Sequence, residues 1–214
     1  MKTLLFFLLI SSACSQAQNK WEATIQTFEQ ADRQTPPPKN PIVFIGSSSF
    51  AFWTDVNDYF PGKPILNRGF GGSELSDALY FADRVIIAYQ PKQVVIYAGE
   101  NDLVDRKKSA TDVYHLFVQL FTKVRKALPN ASIAYVSMKP SPSRWKFVPE
   151  MQKGNRLIRR YLGRQRNAQF VDVVPVMLDP ATQRPKPFIF KPDSLHMNAE
   201  GYKLWAAVLR PVLK

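Results

Sequence analysis

The chain is poor in cysteine and histidine. Its 214 residues include one cysteine, Cys14, and two histidines, His115 and His196. A lone cysteine cannot close an intramolecular disulfide, so no covalent staple is expected in the fold. The same scarcity excludes zinc sites built from Cys/His clusters, and no metal site is expected. Acids are also scarce: 17 Asp and Glu stand against 29 Lys and Arg, a net charge of +12. Long apolar runs are missing too. Residues 4–10 are apolar, follow Lys2 and precede small residues up to Ala17. That stretch is too short to span a bilayer and has the pattern of a secretory signal peptide, residues 1–17. Ser15 and Ala17 satisfy the small-x-small rule for a cut after Ala17. The expected location is therefore secreted or periplasmic. The alternative is a membrane-anchored lipoprotein lipidated at Cys14, although Ser11 stands where a lipobox usually has leucine.

The positive charge is concentrated between Arg144 and Arg166. Eight Lys and Arg residues there face a single acid, Glu150. An anion-binding face is one reading. The favoured one is a solvated helix face, with Met151, Ile158, Tyr161 and Leu162 forming the buried stripe. No nucleic-acid motif accompanies the charge, so no nucleic-acid partner is expected. The sequence does not set an oligomeric state.

Hydrophobic residues make up 45% of the chain, enough for one sizeable core. After the signal segment, residues 18–40 read as an N-terminal helix (20–31) and a proline-rich connector, "TPPPKNP", too proline-rich to be helical. Residues 41–214 read as one domain. Predicted strands cover 42–45, 64–67, 93–98, 132–137 and 169–173. Predicted helices cover 50–59, 75–90, 110–128, 148–164 and 199–213. Runs such as "IVFI" and "VVIY" are continuously apolar rather than alternating. Continuous runs mean burial on both faces, hence a parallel sheet covered by helices. Right-handed crossovers then give an α/β fold: a three-layer α/β/α sandwich around a central five-stranded parallel sheet.

Ligands of such sheets sit at the carboxyl ends of the strands. There the sequence places "GSSS", "NRGFGGS", "AGEND" and "SMKPSPSRW", with "PDSLHMN" before the last helix. A nucleophilic serine needs a base, an acid to orient it and donors for an oxyanion. His115 lies in a helical apolar pattern and is a poor base candidate. His196 sits in a loop on the strand-end side, with Asp193 three residues earlier. Asn198 is the more natural cap of the last helix, which leaves Asp193 free to orient His196. Gly69, Gly71 and Gly72 allow close backbone approach, and the Asn101 amide can donate without changing charge. These residues leave the choice among Ser47, Ser48 and Ser49 open.

The order Ser, Gly, Asn, Asp-x-x-His at successive strand ends resembles the SGNH (GDSL) hydrolase superfamily. Its blocks read here "FIGSSS", "NRGFGGS", "YAGEND" and "DSLHMNAEGY". The pattern is similar to bacterial esterases and lysophospholipases akin to platelet-activating-factor acetylhydrolase subunits. The resemblance implies a flavodoxin-like SGNH fold and a secreted serine esterase needing no metal or organic cofactor. Ser48, Asp193 and His196 would form the catalytic triad. The N–H groups of Ser48 and Gly72 and the side chain of Asn101 would form the oxyanion hole. Ser47 stands where the family has an aspartate that braces the loops. Asp102 also fits the pattern and would keep the third loop rigid. Substrates would be small-acyl or acetyl esters of glycans, or lysophospholipids. Arg144 and Trp145 read either as a substrate-binding pocket wall or as a rigid surface loop. Two rival functions fit parts of the same sequence: a flavodoxin-like phosphate- or cofactor-binding module, and a non-catalytic surface lipoprotein of the same fold.

Overall fold

The structure is a computed structural model that describes residues 19–214. The expected signal segment and Cys14 lie outside the described residues. Five strands form one parallel sheet: β1 (Ile42–Gly46), β2 (Ile65–Gly69), β3 (Gln93–Tyr97), β4 (Ser132–Val136) and β5 (Ala168–Val171), in the order β2-β1-β3-β4-β5. The predicted parallel α/β sandwich is thus the observed fold, and each predicted strand lies within two residues of an observed one. The apolar runs divide by parity. Val43, Ile45, Val94 and Ile96 enter one core, while Ile42, Phe44, Val95 and Tyr97 enter the other. Period-two side-chain alternation serves both cores only because helices cover both faces.

The first core is covered by α1 (Glu22–Gln34), α4 (Leu75–Tyr80), α5 (Ala82–Val85), α7 (Ala110–Ala127) and α8 (Val148–Leu162). The second is covered by α2 (Ser48–Ala51), α3 (Val56–Tyr59), α9 (Val174–Met177) and α10 (Ala199–Leu209). It is strongly aromatic: Trp205 packs on Phe50, Trp53 and Tyr97, and Tyr202 stacks on Trp53. One short helix, α6 (Glu100–Val104), sits at the end of β3. No helix among the described residues is long and apolar enough to cross a membrane.

Two predicted helices are broken. The expected 50–59 helix splits into α2 and α3 because the Asn67 side chain donates to the carbonyls of Phe50 and Trp53, at 2.7 and 3.2 Å. Those bonds end the helix and turn the chain. The expected 75–90 helix splits into α4, α5 and a 3-10 turn at residues 87–89, stopped by Gln90 in the left-handed region. On α8, Met151, Ile158 and Leu162 are buried, while Lys153, Arg156, Arg159 and Arg160 are exposed, as is Arg164 just after it.

The N-terminal helix is tied to the domain rather than standing apart from it. Ile25 is fully buried in the first core. Trp21 donates from Nε1 to Asp77 at 3.0 Å. Arg84 pairs with both Glu22 and Glu29. Asp32 pairs with Arg68, an almost buried arginine that lies over the Phe28 ring. Removing a buried isoleucine side chain to alanine costs about 2–5 kcal/mol. Ile25→Ala is expected to destabilise the domain by that amount in urea denaturation, whereas a loosely attached helix would leave the midpoint unchanged.

Candidate active site

The strand order changes direction between β1 and β3, and open α/β sheets bind ligands at such a point. The end of β1 is pressed against the end of β3. Gly46 has φ 145°, and a β-carbon there would lie 1.8 Å from the Tyr97 carbonyl oxygen. Only glycine tolerates this. The Ser47 N–H donates to that carbonyl at 3.0 Å, and the Phe70 N–H donates to Gly46 O at 2.9 Å. The strand ends β2, β1 and β3 are thereby stitched together. Ser48 follows at once as the first residue of α2, half-buried between buried Ser47 and Ser49. The Tyr202 hydroxyl donates to Ser49 O at 3.0 Å and fixes the turn from α10.

His196 comes from the loop before α10. Its Nε2 lies 3.0 Å from Ser48 Oγ, and its Nδ1 lies 2.6 Å from Asp193 Oδ2. A carboxylate at Nδ1 requires the proton there, which leaves Nε2 free to accept from the serine hydroxyl. Asp193 Oδ1 accepts the N–H groups of Leu195 and His196, both at 2.9 Å. The ring bond from His196, with these two backbone bonds, holds the Asp193 carboxyl well below the usual carboxylate range. Asn198 caps α10 by accepting from Glu200 and Gly201. Its amide also donates to Phe188 O and Phe190 O, which pins the loop. The Phe52 ring meets the imidazole edge-on, with centroids 4.8 Å apart. His115 is exposed on α7 and takes no part.

Two further strand ends carry the candidate donors. No described protein group accepts the N–H of Ser48 or of Gly72. Gly72 has φ 78°, and Gly71 packs beside the Ser48 side chain. Asn101 is buried in α6. One hydrogen of its Nδ2 goes to Ser73 O at 2.9 Å, and the amide has a second to give. Its Oδ1 accepts from Arg144 Nη1 at 2.9 Å. Arg144 also donates to Glu100 Oε1 at 3.1 Å. Glu100 is buried and receives Lys139 and the Tyr97 hydroxyl as well. Burial alone would raise the Glu100 pKa, but Lys139 and Arg144 outweigh it and hold the carboxyl below its usual range. Burial, reinforced by Glu100, pushes the Tyr97 phenol well up, so it remains a donor.

A profile of the GDSL-like Lipase/Acylhydrolase family matches residues 45–204. The chain belongs to this family. Solved structures agree on the fold. A Streptococcus pneumoniae protein provisionally described as a platelet activating factor shares 21% identity at a TM-score of 0.78, over 91% of this chain and 94% of that one. An acylhydrolase from Bacteroides fragilis, likewise provisionally described, shares 21% at 0.78, over 91% and 97%. An acetyl-xylooligosaccharide esterase from Geobacillus shares 15% at 0.65, over 82% and 95%. No curated protein matches the chain.

Pairwise contacts link the four blocks: Ser48 to His196, Gly71 to Ser48 and Asn101 to Ser73. The Ser47 hydroxyl caps nothing. Asn67 holds the same turn and also accepts the Gly69 N–H at 3.0 Å. Arg144 and Trp145 do not form one wall. Arg144 turns inward to Asn101 and Glu100, with its side chain 14% exposed. Trp145 turns away under the Arg184 guanidinium, 4.2 Å from the ring centre, and lines a separate pocket with Pro140, Pro149 and Leu178. Asp102 accepts the Leu75 N–H at 3.0 Å and pairs with Lys108, joining α6 to α4. Sequence reasoning missed Asn67, Glu100 and Lys139. Their only local signal was polarity at the edge of an apolar strand.

The depressed Asp193 carboxyl has a sign that can be read in solution. A carboxylate lowered in the folded state adds stability above its ordinary pKa, near 4, and loses it as pH falls. The stability difference between wild type and Asp193→Asn, measured by denaturation, is expected to shrink as pH drops below about 4.

Proposed function

We propose that this GDSL-family chain is an exported serine esterase that hydrolyses short-acyl esters, through a Ser48–His196–Asp193 triad. The carrying observation is the imidazole whose Nε2 faces the Ser48 hydroxyl while its Nδ1 is held by Asp193. Export rests on the sequence of residues 1–17.

In this reading Ser48 Oγ attacks the ester carbonyl carbon as its proton passes to His196 Nε2. The carbonyl π electrons move to oxygen. That oxyanion accepts from the N–H groups of Ser48 and Gly72 and from Asn101 Nδ2. Asp193 stabilises the imidazolium. The tetrahedral intermediate collapses, the carbon–oxygen bond to the alcohol breaks, and His196 protonates the leaving alkoxide. Water, deprotonated by His196, then cleaves the acyl-enzyme by the same steps. Arg144 acts through Asn101. By donating to Oδ1 it fixes which end of the amide faces the oxyanion and polarises Nδ2 as a donor.

Labelling with a fluorophosphonate probe tests the nucleophile. Wild type, Ser47→Ala and Ser49→Ala are expected to label and Ser48→Ala is not; labelling of Ser48→Ala would overturn the assignment. A series of nitrophenyl esters from acetyl to palmitoyl, run beside acetylated sugars and lysophospholipids, is expected to favour the shortest acyl group. Losing an oxyanion donor costs about 10²–10³ in kcat. Asn101→Ala is expected to lose that much. Arg144→Gln is expected to lose about tenfold alone and almost nothing further in the Asn101→Ala background, because the two act as one unit. A merely structural arginine would give additive losses.

A further inference from the structure

A second feature borders the crevice and has no part in the bond-making steps. A pocket of about 570 Å³ is lined by Val104, Lys107, Ser143, Arg144, Lys146, Phe147 and Leu195. It adjoins both halves of the site. Leu195 immediately precedes His196, and Arg144 is bonded to Asn101. The Ser143 N–H donates to Ser194 O at 3.1 Å, which ties the pocket's loop to the loop carrying Asp193 and His196.

Its apolar members are Val104, Phe147 and Leu195, and its charged members are all cations. Arg144 is committed to Glu100 and Asn101, with Asp105 at 4.0 Å from its other terminal nitrogen. Lys107 and Lys146 are exposed and make no ion pair among the described residues. Lys107 sits at φ 52°, a left-handed conformation unusual for a side-chain-bearing residue, in the turn between α6 and α7. The Lys146 ammonium lies 5.0 Å from the centre of the Phe147 ring. No carboxylate lines the pocket to neutralise either lysine.

We infer that this pocket selects esters carrying an anionic group, a carboxylate or a phosphate, beside the scissile bond. The inference rests on the esterase reading above and narrows its substrate class. The anion sits between the two ammonium groups while an apolar part of the same substrate covers Phe147 and Leu195. A cleft of one charge sign with low-dielectric walls concentrates the opposite charge, and the effect weakens with salt.

The test uses acetate esters in pairs with one anionic and one neutral member. One arm compares an acetylated methyl uronoside with the corresponding uronamide, and the other compares acetylated glycerol phosphate with acetylated glycerol. At low salt the anionic member of at least one pair is expected to have kcat/KM about tenfold higher, mostly through KM. The arm with the larger ratio identifies carboxylate or phosphate as the natural group. The ratio is expected to fall towards 1 in 0.5 M salt, roughly, where screening is short-ranged. It is also expected to fall in a Lys107→Gln/Lys146→Gln variant. A Lys153→Gln/Arg160→Gln variant removes the same net charge from α8 and is expected to keep the ratio. Ratios near 1 in wild type, or a ratio untouched by the pocket variant, overturn the inference. If no ester is cleaved, the esterase reading fails separately. The pocket is then judged by calorimetric binding of the same anions to Ser48→Ala protein: weaker binding in the pocket variant supports it, and equal binding overturns it.

Discussion

The site depends on a buried carboxylate. Glu100 is almost fully inaccessible, and an unpaired carboxylate there would cost several kcal/mol. Its partners come from three directions: Tyr97 on β3, Lys139 just past β4, and Arg144 in the following loop. Removing Glu100 would leave two cations facing each other without solvent. The carboxylate therefore dictates where the loop after β4 must run. Arg144, held by it, reaches Asn101. Arg144 thereby places a positive charge directly behind the amide that would meet an oxyanion. That arrangement favours a negative transition state without placing a free cation in the crevice.

The turn bearing Ser48 is held differently, by backbone and neutral side chains. Gly46 permits a contact with Tyr97 that no other residue allows. Asn67 bonds two carbonyls of the α2 turn and the N–H of Gly69, and Tyr202 reaches Ser49 from the far end of the chain. These bonds explain how the turn tolerates serine at position 47. The turn is fixed from the β2 side without any charged group. Asp102 does the equivalent work for the third loop, with burial pushing its pKa up and the Leu75 N–H and Lys108 opposing that.

What was legible in the sequence follows from the range of the interactions. Strands could be located because continuous apolar runs are a local signal. The blocks around Ser48, Gly72, Asn101 and His196 could be located because each is compact. The Glu100 network spans 39 and 44 positions to Lys139 and Arg144, and nothing in a local window announces such a pairing. Arg144 therefore looked like a surface cation, free to touch substrate. The broken helices have a similar cause. Residues 50–59 carry a helical pattern, but a distant asparagine claims the carbonyls that would continue it. Long-range hydrogen bonds override local propensity here, as tertiary context often does.

The strand order β2-β1-β3-β4-β5 is shared by folds that hold phosphates and by folds that cut esters. In both, the crevice at the β1/β3 switch point receives the ligand. The two uses differ in what the crevice presents. A phosphate-holding loop needs donors alone, because its ligand brings the lone pairs. Here the loop hydroxyl at Ser48 is matched by an acceptor, the His196 nitrogen, brought from 148 residues away. In the neutral ring, Asp193 at Nδ1 selects the tautomer whose Nε2 carries the lone pair. A phosphate-holding loop has no use for a nitrogen paired to its own hydroxyl. The same acceptor is what a hydroxyl needs to become a nucleophile. The imidazole thus argues against the binding-module reading on the chemistry of one nitrogen, independently of any likeness between chains.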